Sequence, residues 1–207
     1  MKNYFYDGTF NGILTLLNSL LQNSAPKNFE VFSVSNRNQA NLFDEYEIVN
    51  TDNEVAKHIW ILLRRNSSIG TDQVYKSFLA NEDEKFVLSL LLKIANNKEL
   101  SKKEYIQIEK NAQKIDREKN RILSYLRYNA QLNNSTTLYI QSKYKVEFLL
   151  TKTIRQLYAH HEEWQIVNSY QNHCIQFNDN KFTSKKVNPR EKEMSASIEM
   201  NAFKLAV

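Results

Sequence analysis

Four helix-start signals in succession dominate the middle of this chain. Thr51-x-x-Glu54, Thr71-Asp72, Asn81-x-x-Glu84 and Ser101-x-x-Glu104 each place a short polar side chain ahead of an apolar-periodic run. Such a side chain accepts from backbone N–H groups that the first helical turn leaves unpaired. The spacing predicts helices from Thr51 through Trp60 and Leu63, from Thr71 to near Leu79, from Asn81 through Ile94, and from Ser101 onward. Upstream, Thr9 caps a helix whose apolar positions are Phe10, Ile13, Leu14, Leu17, Leu20 and Leu21. Asn3 to Tyr6 reads as a short edge strand closed by Asp7-Gly8, and Phe29 to Val34 as a second strand. Ser24-Ala25-Pro26 ends the first helix, and Ser35 to Asn38 is loop-like.

The pattern changes after Arg127. Thr136 to Ile140 alternates like a strand, and Asn133-Asn134-Ser135 is placed to turn it back on Leu126 to Tyr128. Val146 to His161 returns to helical spacing. Trp164 to Val167, Cys174 to Phe177 and Phe182 to Val187 then read as strands, with Asn178-Asp179-Asn180 as a hairpin turn. The expected class is α+β, a helical middle with a small, mainly antiparallel sheet. Residues 1–187 are read as one domain and 188–207 as a weakly structured tail. Only three glycines and two prolines occur, few for a fold that depends on tight loops.

Composition narrows the setting. With 42% hydrophobic and 12% aromatic residues in 207, a globular core is within reach. No apolar run approaches the roughly 20 residues that a membrane span requires. The N-terminus lacks a secretory pattern, and one cysteine, Cys174, excludes an internal disulfide, so a cytoplasmic protein is expected. The net charge of +5 is unevenly spread. Ser101 to His161 holds twelve cations against five anions, which leaves the remainder slightly acidic. A half biased in this way suits a polyanion, although a solvated helix face has the same signature.

The bias centres on Lys114 to Tyr128. At about 100° per helical residue, Lys110, Lys114, Arg117 and Arg121 share one stripe, opposite Ala112, Ile115, Ile122 and Leu126. Beyond Leu123 the run Leu-Ser-Tyr-Leu-Arg-Tyr fits a strand equally well. Tyr125, Tyr128, Tyr139 and Tyr144 lie near Arg121, Arg127, Lys143 and Lys145. Cations can hold phosphates while aromatics stack on bases, or the tyrosines can be amphipathic sheet residues. The candidate nucleic-acid contacts are Lys114, Arg117, Arg121, Arg127, Tyr125, Tyr128 and Lys143.

No catalytic constellation stands out. His160-His161-Glu162-Glu163 has no i, i+4 ligand spacing, so no metal is expected there. His173 and Cys174 are strand neighbours and face opposite ways, which prevents a direct nucleophile–base pair. Phosphate-binding loops and hydrolase elbows are absent from the sequence, and no cofactor is implied. An enzyme whose site is assembled over long range, such as Asp7 with Arg121, is a third reading.

Two segments together resemble a known family. Tyr6-Asp7-Gly8-Thr9-Phe10-Asn11-Gly12-Ile13-Leu14-Thr15 is similar to a Y-D-G-S/T-F-x-G-F/L-L-S/T opening, and Lys114 to Tyr128 to a K-V-x-R-E-x-H-R-M-x-x-F-x-R-F block. Both belong to a bacterial family of unknown function ascribed to DNA repair or DNA metabolism. Its members accompany a radical-SAM protein, and some are fused to a uracil-DNA-glycosylase-like domain. Leu42-Phe43, Thr51-Asp52, Ala56 and Ser77-Phe78-Leu79 follow in similar order, and Glu163-Trp164-Gln165-Ile166 is similar to a later strand. The motif residues are Tyr6, Asp7, Gly8, Phe10 and Gly12. Asn120 stands where the family has histidine, so a role for that histidine does not transfer. Ile140 to Tyr144 and Asn188 to Val207 also depart from the family pattern. The resemblance implies a DNA-associated accessory protein with a radical-SAM partner, not catalytic alone. The alternative is a protein-interaction module whose basic face meets an acidic partner.

Overall fold

The computed structural model describes residues 2–23, 28–34, 45–132, 136–159, 161–179 and 181–187. The chain divides into two compact units, Met1–Lys114 and Ile115–Val207, each described by itself. Among the described residues are five helices and seven strands, a mixed α+β content. No helix among them is long and apolar enough to cross a membrane.

In the first unit, β1 (Lys2–Tyr6), α1 (Phe10–Gln22) and β2 (Phe29–Ser33) form a β-α-β unit, and β3 (Glu45–Ile48) adds on the other side of β1. Both pairings are parallel, with Tyr4 opposite Val31 and Glu47. The sheet is therefore not antiparallel, and β1 is its centre rather than an edge. Asn3, Tyr4, Phe5 and Tyr6 are all buried, as a parallel strand covered on both faces requires. α1 buries Ile13, Leu14, Leu16, Leu17 and Leu20. Each contributes about 1.5–3 kcal/mol of hydrophobic stabilisation relative to exposure.

α2 (Asn53–Leu79) is capped by Asp52, not Thr51: the Asp52 carboxylate accepts from the Glu54 and Val55 N–H groups. The short helix expected from Thr71 is continuous with α2 across a kink at Ser67, whose backbone is extended. There the Ser67 hydroxyl accepts from Gly70 N–H, and its carbonyl accepts from the Thr71 hydroxyl. Thr71 is thus inside the helix, and Ser67 begins the second segment. α3 (Glu84–Ala95) is capped by Asp83, which accepts from Phe86 N–H, in place of Asn81. Asn81 instead adopts φ +57° where α2 ends. Asn97, Asn172 and Asp179 are also left-handed. Short Asn and Asp side chains tolerate that region and here serve where glycine usually would.

The fourth start signal forms as drawn. Ser101 N–H donates to the Glu104 carboxylate, and Glu104 N–H donates back to the Ser101 hydroxyl. Lys93 Nζ adds a 2.6 Å ion pair to the same carboxylate. Lys93, and then the Ser101 hydrogen bonds, hold the Glu104 carboxyl below its usual range. A carboxyl lowered on folding stabilises above its unfolded pKa, and the gain is lost as pH falls through the folded pKa. We expect Glu104→Ala to cost about 1 kcal/mol at neutral pH. Urea melts repeated at successively lower pH should show that difference shrinking once the pH falls below the ordinary carboxyl range.

α4 (Lys102–Leu132) is one helix across the boundary between the units. Leu126 to Tyr128 is accordingly not a strand. In the second unit, β4 (Thr137–Ile140), α5 (Glu147–Leu157) and β5 (Trp164–Asn168) make another β-α-β unit, with β4 parallel to β5. β4 finds its partner there, not in Leu126 to Tyr128. β6 (His173–Asn178) and β7 (Lys181–Lys186) complete the order β4-β5-β6-β7 with antiparallel pairing. The hairpin expected at Asn178-Asp179 is present. Leu138, Ile140, Trp164, Ile166, Ile175 and Phe177 are buried, as are Leu150 and Ile154 of α5. Ser24 to Pro26, Ser35 to Asn38, Asn133 to Ser135, His160, Asn180 and the 188–207 tail lie outside the described residues.

Candidate nucleic-acid interface

The helical continuation of α4 places the predicted residues. Ala112, Ile115, Ile122, Leu123 and Leu126 are buried, while Lys110, Lys114, Arg117, Arg121, Tyr125 and Tyr128 are exposed. Arg117, Arg121, Tyr125 and Tyr128 recur at i, i+4, i+8 and i+11, so they form one stripe along the helix. Tyr125 is 50% exposed and Tyr128 64%. Rings left in water at a cost in apolar area are available to stack. Arg127 is exposed but falls roughly 120° around the helix from Arg121, off the stripe. Lys114 ends the first unit, and its ammonium donates to Asn111 Oδ1 at 3.0 Å.

Arg121 does not present a bare charge. Its guanidinium donates twice to Glu118, at 2.8 Å each, and once to the Gln141 carbonyl at 3.3 Å. The Arg121 hydrogen bonds hold the Glu118 carboxyl below its usual range, with Ser142 and Lys143 adding to the effect. Lys143 Nζ lies 5.2 Å from the Tyr144 ring centroid. Glu118 and Gln141 are partners that sequence reading missed. Glu118 was visible three residues before Arg121, a spacing that pairs on a helix, whereas Gln141 required the fold.

The Tyr6 to Gly12 motif is structural. Asp7 Oδ1 accepts from the Thr9 N–H and hydroxyl, and Oδ2 accepts from the Thr51 hydroxyl at 2.8 Å. Thr9 in turn caps α1 by accepting from Gly12 N–H. Gly8 turns at φ +80°. Tyr6 is fully buried, and burial, followed by the Glu84 charge, pushes its phenol well above the ordinary tyrosine range. Phe10 packs among Trp60, Tyr75 and Phe78. Asp7 and Arg121 each have partners within their own unit.

Elsewhere, the face of the second sheet that carries Gln165 is polar. It holds an open groove of about 450 Å³ lined by Thr137, Gln165, Gln176 and Thr183 among others. Gln176 donates to Gln165, and Gln165 to Thr137. Cys174 is on that face, with its Sγ 3.5 Å from Gln165 Oε1. His173 is on the other face, as strand alternation requires. Its two ring nitrogens lie against Glu147 and Ser184, residues that sequence reading did not single out. No family model, no curated protein and no solved structure matches the chain.

Proposed function

We propose that the chain binds nucleic acid along α4, as an accessory protein in DNA repair or modification that works with a radical-SAM partner. The observation that carries the binding surface is the stripe of Arg117, Arg121, Tyr125 and Tyr128 on one uninterrupted helix, with both rings at least half exposed. Guanidinium groups suit phosphate oxygens, and tyrosine rings stack on unpaired bases without regard to sequence. The repair context and the radical-SAM partner rest on the resemblance of the two motif segments alone.

The test is fluorescence polarisation with a labelled single-stranded oligonucleotide and its duplex, over 50 to 200 mM salt. Arg117→Ala with Arg121→Ala should lower the salt slope by about 2, a factor of roughly ten in affinity across that range. Tyr125→Ala should cost about 1–3 kcal/mol on the single strand and little on the duplex. Glu118→Gln should tighten binding, since the Glu118 carboxylate competes with phosphate for Arg121. Binding unmoved by salt and by the double substitution rules this surface out. The acidic-partner reading then gains, and a complex that survives nuclease digestion on co-purification would establish it.

A further inference from the structure

In the second unit one histidine bridges a serine and a buried carboxylate. His173 Nε2 lies 2.7 Å from Ser184 Oγ, and Nδ1 lies 2.8 Å from Glu147 Oε1. Three elements bring these groups together. Glu147 opens α5, His173 opens β6, and Ser184 is on β7. The β6–β7 register sets Ile175 opposite Ser184 and Lys186 opposite His173, so the serine is the diagonal neighbour of the histidine on one sheet face.

The burial gradient matches the roles. Glu147 is 1% exposed, the His173 side chain is 19% exposed, and Ser184 is open to solvent. Asn168, fully buried, donates to Glu147 Oε2 at 3.2 Å, while its own oxygen accepts from Ser142 and Tyr170 N–H groups. Glu147 Oε1 and His173 Nδ1 have no other partner among the described residues. Their approach is an ion-pair contact rather than an aligned hydrogen bond, and such pairs tighten when substrate binds. A carboxylate facing Nδ1 favours the tautomer protonated there, and that tautomer leaves Nε2 to take the proton of Ser184.

We propose that Ser184, His173 and Glu147 form a nucleophilic serine site acting on carboxylic esters. His173 Nε2 takes the Ser184 Oγ proton as Oγ bonds to the ester carbonyl carbon. The C–O bond to the alcohol then breaks, and the alcohol leaves with that proton. Water, deprotonated by the same nitrogen, releases the acid and restores the serine. Glu147 is a positioning residue that fixes the ring tautomer. Val187 N–H donates to the Asn172 carbonyl, and antiparallel hydrogen bonding alternates from there. The Ser184 N–H therefore points away from β6, off the outer edge of the sheet formed by the described strands, a donor beside its own nucleophile. Phe182, two residues along the same face, and Phe148, whose ring centroid is 5.3 Å from that of His173, are both over 40% exposed. They suit a small apolar acyl group. This site uses no residue of the α4 stripe and stands or falls apart from it.

The test is an alkyl fluorophosphonate on the intact chain, read by mass spectrometry. Oγ–P forms, P–F breaks, and fluoride leaves with the proton. One adduct per chain is expected, mapped to Ser184 and absent in Ser184→Ala, an exposed substitution that leaves the melting temperature in place. His173→Gln should slow labelling about a hundredfold. Glu147→Gln should slow it while an imidazole soak restores nothing, because the ring is still present. No adduct on folded wild-type protein, or an adduct indifferent to His173→Gln, overturns the proposal and leaves a structural ion pair.

Discussion

Gly12→Ala should destabilise the first unit by about 2–3 kcal/mol, an overpacking effect at the upper end of its usual range. A Cβ at Gly12 would lie 2.3 Å from Asp7 Oδ1, 2.8 Å from the Tyr6 ring and 2.9 Å from Thr51 Oγ1. None of the three can give way cheaply. Asp7 is held by Thr9 and Thr51, Tyr6 is fully buried in the central strand, and Thr51 is hydrogen-bonded to Asp7. Urea denaturation of the two proteins measures the loss. Asp7→Ala on the Gly12→Ala background should cost less than the two single effects added, since removing the carboxylate removes the nearest clash. Strict additivity would mean that the clash is not with Asp7.

Phe10→Ala is the second large effect, with an expected loss of about 2 kcal/mol for a half-buried ring in an aromatic cluster. The Phe10 ring centroid lies 5.7 Å from Trp60, 4.7 Å from Tyr75 and 5.2 Å from Phe78, mostly edge to face. Phe10 is in the first turn of α1, while the other three rings are on α2, on both sides of the Ser67 kink. The cluster ties the two halves of the kinked helix to α1. On a Trp164→Phe background, Trp60 emission should shift to longer wavelength in Phe10→Ala as water reaches the indole. Phe10→Leu should recover part of the stability. An unchanged melt with unchanged emission would mean that the ring cluster does not hold α1 to α2.

Both expectations change the meaning of the Tyr6 to Gly12 motif. As sequence it is a family motif in which Asp7 alone is a candidate for chemistry. In the fold, each member is explained by the strand-to-helix turn: Tyr6 as core, Asp7 as a bracket to Thr51, Gly8 for its φ, Phe10 for the ring cluster and Gly12 for close approach.

Sequence reading located most helices and strands and the β6–β7 pairing, but not the partners of the other strands. Local signals are sufficient for α1, α3, the Ser101–Glu104 box and the β6–β7 hairpin, because capping and turn chemistry act within a few residues. The run Leu123 to Tyr128 fits both periods. Burial of Leu123 and Leu126 with exposure of Tyr125 resolves it as helix. The boxes expected at Thr51 and Asn81 give way to Asp52 and Asp83, acidic residues one or two positions on that reach the Glu54, Val55 and Phe86 N–H groups at the true helix starts.

What the sequence alone determined is the mixed α+β class, the cationic stripe from Lys110 to Arg121 and the apolar face behind it. These follow from side-chain type and helical period, which are local properties. Tertiary structure alone decided that β1 is the centre of a parallel sheet, because strand direction depends on how the β-α-β crossover packs. It also decided that Glu118 and Gln141 temper Arg121, and that Glu147, His173 and Ser184 meet. Those three residues come from separate elements, and only the register of the second sheet and the packing of α5 bring them within a hydrogen-bond length.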